Sequence, residues 1–355
     1  MVAHDVSVFI LHPEPRAAAL PLTAAVSAAR ANLAERHRAG FLAAGASAAH
    51  IVSGPSDDTP FGWRLRDLAT DVGDGGLVVL GSGALPLASV ADRRALVEAA
   101  ADDTPAALAN DRYSADAVAI ARAAVVLHDL PDLETDNALP RWLAEIAGVP
   151  VTDLRRRWRL GVDIDGPIDL VLLGPRWAHW LSADDRARAE SRLAAVRAIA
   201  ADPRSELLVA GRTSSAALRW LERSTASRTR ALVEERGLRT SVAGQRPAAS
   251  VLGMLLEHGG PDALKAALPR LADAAILDTR VLLAHRLGAD QRTWPPPEDR
   301  FASDLLLHER ITDPWLRDLT AAATDAPIPV LLGGHTLVGP GLRLALARRW
   351  SRVAT

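Results

Sequence analysis

Gly161-Val162-Asp163-Ile164-Asp165-Gly166-Pro167-Ile168-Asp169-Leu170 decides the reading of this chain. Two carboxylates stand two residues apart in an apolar run, which a Gly-Pro pair then breaks. On a strand, residues i and i+2 project from the same face. Asp163 and Asp165 would therefore reach one point beyond a strand end, as a hard cation such as Mg²⁺ requires. Asp169 falls at an expected helix start.

Upstream, strands and helices alternate. Val6 to Leu11 reads as a buried strand, stopped by His12-Pro13-Glu14-Pro15. Ala17 to Ala44 has helical periodicity. His50-Ile51-Val52 is a short strand, and Ser53 to Pro60 is a loop of turn formers. Phe61 to Leu68 reads as a helix. Leu77 to Leu80 has no polar face and reads as a buried strand, ending in Gly81-Ser82-Gly83-Ala84-Leu85-Pro86. Ser89 caps an expected helix from Val90 to Ala100, with Asp92 in its first turn. Ala106 to Ala109 is a short strand that opens into Asn110-Asp111-Arg112-Tyr113-Ser114-Ala115-Asp116. Leu139 to Ala147 and Val151 to Arg157 are read as helices.

Such alternation predicts an α/β fold with a Rossmann-like, mostly parallel sheet covered on both faces. Ligands then lie beyond the carboxyl ends of the strands. The loops at His12 to Arg16, Ser53 to Thr59, Gly81 to Pro86 and Asn110 to Asp116 would converge there with Asp163 and Asp165.

A boundary is expected near Gly174-Pro175, dividing the chain into 1–175 and a helix-rich α/β half, 176–355. Ser182 caps a long helix reaching about Ala201, and Glu206 to Ala210 is a strand. Gly211-Arg212-Thr213-Ser214-Ser215 leads from it into a helix, a plausible anion site. Arg228 to Arg239 reads as a solvated helix face, with Glu235 and Arg239 at i,i+4 spacing. Asp278-Thr279-Arg280 interrupts an apolar run, and a buried charge must be paired. Glu298, Asp299, Arg300, Ser303 and Asp304 are similarly concentrated. Ile328 to Leu332 is a strand ending in Gly333-Gly334-His335-Thr336, where glycine permits close approach to a ligand and His335 could act as acid or base. Together these predict a polar site in the second half.

Composition removes several classes. The net charge is −2, so no global field recruits nucleic acid or an acidic membrane. Lys265 is the only lysine, which excludes a lysine nucleophile elsewhere. There is no Cys, hence no disulfide or thiolate chemistry. No apolar run reaches the roughly 18–20 residues of a membrane span, and Met1 to Asp5 does not open a signal peptide. The expected location is the cytoplasm; a homo-oligomer is compatible with the sequence. Nine Trp dominate the scarce aromatics, many beside Arg, and are read as core-edge residues.

On these motifs the first half resembles the nucleotidyltransferases of the glycosyltransferase-A type, in the style of the MobA-like enzymes and the phospholactate guanylyltransferases. Gly161 to Leu170 is similar to that family's late D-I-D-T-P-E-D-L motif. Leu77 to Ala88 with Val90 to Val97 is similar to its V-L-G-x-D-x-P-L-L … D-L-R-A-L strand, loop and helix. Ala107 to Asp116 is similar to the strand and polar loop that follow. The resemblance covers roughly residues 50–173, more weakly from residue 6.

The resemblance implies transfer of a nucleotidyl group from an NTP, with Mg²⁺, to a small phosphorylated or cofactor-like acceptor. Asp163 and Asp165 become metal ligands and catalytic residues. Arg16, Ser82, Gly83, Asn110, Asp111, Arg112, Ser114 and Asp116 become nucleotide or acceptor contacts. The resemblance does not reach the second half; from the residues themselves, Arg212 and Arg300 are expected contacts there and His335 an expected catalytic group. Two departures stand out. The family's first metal-binding Asp aligns with Gly83, and its early Gly-rich loop is replaced by His12-Pro13-Glu14-Pro15-Arg16. They make a non-catalytic nucleotide- or metabolite-binding protein the rival expectation. A metal-dependent glycosyltransferase is the third.

Overall fold

A computed structural model of the chain describes residues 4–14, 19–55, 59–234 and 247–347. Of the residues singled out above, Arg16, Glu235 and Arg239 lie outside them, as does part of the Ser53 to Thr59 loop. The protein is α/β and divides into two compact units. The first comprises residues 1–19 and 27–164, the second residues 20–26 and 165–355. Among the described residues no helix is long and apolar enough to cross a membrane.

The first unit holds a six-stranded sheet: β1 (Val6–Glu14), β2 (Ala48–Pro55), β3 (Gly76–Gly81), β4 (Ala107–Ala109), β5 (Ala117–Ile120) and β6 (Val151–Asp153). Their order is β2-β1-β3-β5-β4-β6. All pairs are parallel except those of β5, which runs antiparallel to both β3 and β4.

Strand alternation sorts this unit's core onto two faces. Val6, Val8, Ile10, Val78 and Leu80 pack with Ala34 and Phe41 of the helix Pro21–Ala43 and with Leu96 and Val97 of Val90–Ala100. Phe9, Leu77, Val79, Val118 and Ile120 point the other way, onto Leu65 and Ala69 of Phe61–Val72 and onto Leu139 and Leu143. Burying each such side chain stabilises by roughly 1.5–3 kcal/mol, which a strand with no polar face needs from both sides.

Ser89 caps Val90–Ala100 as expected. Its hydroxyl accepts from the Asp92 N–H, and Asp92 accepts from the Ser89 N–H at 2.8 Å. Burial would raise Asp92, but its bonds from Ser89 and Arg157 and the charge of Arg159 outweigh it, leaving the carboxyl below its ordinary value.

The second unit carries four strands: β7 (Glu206–Gly211), β8 (Arg228–Val233), β9 (Ala274–Asp278) and β10 (Val330–Gly333). All are parallel, in the order β10-β9-β7-β8. The helix Ala183–Ala200, capped by Ser182, packs across β7, β9 and β10. Residues 20–26 join this unit through Glu298, whose carboxylate accepts from the Leu22 N–H (3.0 Å), the Thr23 N–H (2.8 Å) and the Thr23 hydroxyl (2.8 Å). Guanidinium groups lie over indoles here, but from distant Arg residues: Arg343 over Trp220 and Arg286 over Trp315.

Three expectations are corrected. Val151 to Arg157 is not a helix; β6 forms there because Val151 and Thr152 pair with Ala107 and Leu108. Arg228 to Val233 is the edge strand β8 rather than a helix face, and its alternating Arg228 and Arg230 suit an edge that must not pair further. The Asp163 stretch is not a strand. A 3₁₀ turn (Trp158–Gly161) precedes it, and Asp163 forms one isolated antiparallel bridge with Ala84. Gly166-Pro167 then starts the helix Pro167–Leu172, as expected, with Asp169 in its first turn.

Candidate functional site

Each sheet has a point where successive strands are laid down on opposite sides of its first strand. In the first unit the chain leaves β1 for β2 on one side and returns to β3 on the other, so the switch point lies between β1 and β3. Crevices at such points take ligands. Here His12 Nδ1 and Ser82 Oγ meet at 3.0 Å, joining the ends of β1 and β3. His12 is kept below its ordinary pKa, by burial first and by the positive charge of Arg30 second.

Arg30 comes from the helix Pro21–Ala43, and its Nε donates to the Ile164 carbonyl at 2.7 Å. Ile164 in turn donates its N–H to the Gly83 carbonyl (3.0 Å). Gly83 has no room for a side chain. A Cβ there would stand 2.8 Å from Asp163 Oδ1, 2.9 Å from the Ile164 carbonyl and 3.0 Å from Arg30 Nε. Gly83, Asp163 and Arg30 thus share one small space.

Sequence reasoning missed Arg30. It sits in an Ala-rich helix with no motif around it, and only the tertiary fold brings it to the strand ends.

The polar loop after β4 reaches the same edge. Asn110 is buried and fully engaged. Its Oδ1 accepts from the N–H groups of Asp116 (2.9 Å) and Ala117 (3.1 Å), and its Nδ2 donates to Asp116 Oδ2 and to the Leu160 carbonyl. Asp111 accepts from the Tyr113 N–H at 2.7 Å, an Asx turn. Tyr113 and Ser114 are exposed, with Arg155 over the Tyr113 ring. Arg112 is half-buried, and its buried Nε has no acceptor among the described residues. Asn110 and Asp111 shape the loop, leaving Arg112 and Ser114 as the members with groups to offer.

In the second unit the switch point lies between β7 and β9. Gly211 ends β7 at φ +134, where a Cβ would lie 2.2 Å from Asp278 Cβ, so only glycine fits. Arg212 follows and grips Asp278 at the end of β9, Nε to Oδ2 at 2.6 Å and Nη2 to Oδ1 at 3.1 Å. Asp278 also accepts from the Arg280 N–H (3.1 Å). Burial would raise Asp278; Arg212, then Arg280 and His335, outweigh it and hold it below its ordinary value.

Arg280 is itself buried and forks onto Asp304. Burial works against its charge, but Asp304, Asp278 and Asp165 keep the guanidinium above its ordinary value. Asp169 lies in the same electrostatic field. Burial first, then the charges of Asp165 and Asp304, push its carboxyl up to about 8. Its Oδ2 accepts from the Asp165 and Gly166 N–H groups, while its buried Oδ1 has no hydrogen-bond partner among the described residues.

Asp163 and Asp165 therefore fall to different units. Asp163 is half-buried beside Gly83; Asp165 is exposed, in the field of Asp169 and Arg280. With no strand under them, the same-face argument does not apply. Among the described residues no three His, Cys, Asp or Glu side chains gather as a metal-holding group. Of the second-half candidates, Arg212 and the half-buried His335 both act electrostatically on Asp278 at the end of β9. Arg300 lies over the Trp294 ring, 5.9 Å from its centroid.

No protein-family model and no curated protein matches the chain. The site's geometry thus carries the functional reading alone: a protein of two α/β units, each with charged or polar side chains bridging its sheet's switch point.

Proposed function

We propose that the first unit binds a nucleotide or a related phosphorylated metabolite at the carboxyl edge of its sheet, in a glycosyltransferase-A-like arrangement, without the two-carboxylate Mg²⁺ site of the nucleotidyltransferases it resembles. The observation that carries this reading is the crowding at Gly83. The place where that family's first metal-binding Asp would stand is filled by Asp163 Oδ1, the Ile164 carbonyl and Arg30 Nε. The residues present do not fit a paired-carboxylate metal set. They fit an anion better, since Arg30 and the half-buried Arg112 bring positive charge to this edge, and Ser82 and Ser114 bring hydroxyls.

Nucleotidyl transfer to a small acceptor is the second reading. Its support is Asp163, a carboxylate at the expected edge, because Mg²⁺ can be held by one carboxylate together with substrate phosphates. Thermal shift over a panel of NTPs, with and without Mg²⁺, separates the two. Stabilisation that needs no metal supports the binder. Stabilisation that needs Mg²⁺, vanishes in Asp163→Ala and accompanies pyrophosphate release supports the transferase. Silence towards every nucleotide sinks both.

A further inference from the structure

The second unit holds a feature that the proposed function does not use. At the carboxyl ends of β7, β9 and β10, Arg212 and Arg280 are fixed by separate buried carboxylates, Asp278 and Asp304. Their rotamers are set before any ligand arrives, which removes much of the ordering cost of binding. The two guanidiniums converge on Gly334, just past the end of β10. A Cβ built there would meet only two heavy atoms within 4 Å, Arg280 Nε at 3.8 Å and Arg212 Nη2 at 4.0 Å.

The donors are in the right state for a ligand. Arg280 is 7 % exposed, and its fork to Asp304 and its bond to Thr279 use only Nη1 and Nη2. Its Nε–H donates to no group among the described residues. Arg212 spends Nε and one hydrogen of Nη2 on Asp278, leaving the second Nη2 hydrogen unused. An N–H with no protein acceptor on a guanidinium already held in place is available to a ligand, and charge-assisted bonds to an oxyanion are the strong kind. Gly334 is buried and has φ −108, so its lack of a side chain is not needed for backbone conformation. What its absence provides is space between two guanidinium edges, at the carboxyl edge of a parallel sheet where ligands lie.

We infer that this strand-end gap binds a small oxyanion, the phosphate or carboxylate group of a metabolite, held by Arg280 Nε and Arg212 Nη2 over the Gly334 backbone. The inference is independent of the nucleotide reading of the first unit.

The test uses the full chain, with inorganic phosphate and oxalate as separate calorimetric probes and the arginine Nε–H resonances followed by NMR. At least one probe binds and shifts the Arg280 Nε–H resonance; which one binds distinguishes phosphate from carboxylate. Gly334→Ala fills the gap with a methyl that makes only ordinary contacts. It weakens binding by about tenfold or more, ~1.4 kcal/mol or more, with the melting temperature nearly unchanged. Three results overturn the inference: no binding of either probe, binding undiminished in Gly334→Ala, or resonance shifts confined to first-unit groups such as Arg30. The wild-type resonance decides the matter if the variant does not fold.

Discussion

Arg212 and Asp278 face each other across the point where the second sheet reverses its winding, joined by two side-chain hydrogen bonds of 2.6 and 3.1 Å. Asp278 is 2 % exposed. Removing one member of such a pair leaves an uncompensated buried charge, which costs about 3–5 kcal/mol. Arg212→Gln is therefore expected to lower the free energy of unfolding of the second unit, read from its urea transition, by that order. Arg212→Lys keeps the charge but loses the fork, and should fall between the variant and wild type.

Asp169 gives a pH dependence of definite sign. Its folded pKa is raised to about 8, so the folded state keeps a proton that the unfolded chain releases near its ordinary value. This group's contribution therefore makes stability fall as pH rises from about 4 to about 8, then level off. The upper bound is on the order of 6 kcal/mol. Asp169→Asn keeps an oxygen for the Asp165 and Gly166 N–H groups and does not ionise. Chemical denaturation across that range should show the slope in wild type and its loss in the variant.

Gly83→Asp recreates the residue of the resembling family and should not recreate its metal site. Its side chain would overlap Asp163 and the Ile164 carbonyl. A loss of about 1–3 kcal/mol is expected, as for overpacked sites. Nucleotide thermal shift should gain no Mg²⁺ dependence; a gain would count against the metal-free reading.

Arg30→Gln tests the same edge from the other side. It removes the charge beside His12 and alters the donor to the Ile164 carbonyl. Nucleotide affinity should drop by about tenfold or more by calorimetry, ~1.4 kcal/mol or more. Unchanged affinity would place the ligand elsewhere.

The Ser89 cap tests the reading of the helix start by itself. Ser89→Ala breaks the reciprocal bonds with Asp92 and should cost about 1 kcal/mol in thermal unfolding.

Much of this architecture is legible in the residues. A short polar-free run such as Leu77 to Leu80, bounded by Gly76 and Gly81, reads as a strand buried on both faces, and Ser89 with Asp92 writes its own helix start. The second-half cluster is also visible, because Asp278 and Arg280 interrupt an apolar stretch where a charge must find a partner. Short strands are not. Three residues, Val151 to Asp153, carry no period, and the antiparallel β5 is an apolar tetrapeptide whose direction only pairing decides. The Asp163 pair misleads for a related reason: alternation implies a shared face only on a strand, and Gly166-Pro167 ends the extended run too early. Arg30 leaves no local trace at all, since its role comes from where the helix lies.

The grip of Glu298 on Leu22 and Thr23 bears on how the gene can be divided. The chain visits the second unit twice, so a cut after Ile164 yields a fragment that lacks part of its own fold. A fragment beginning at Asp165 leaves the Glu298 carboxylate facing solvent in place of two backbone amides and a hydroxyl. Dissection of the two halves should restore residues 20–26, by a fused peptide or by co-expression, before either half is judged unable to stand alone.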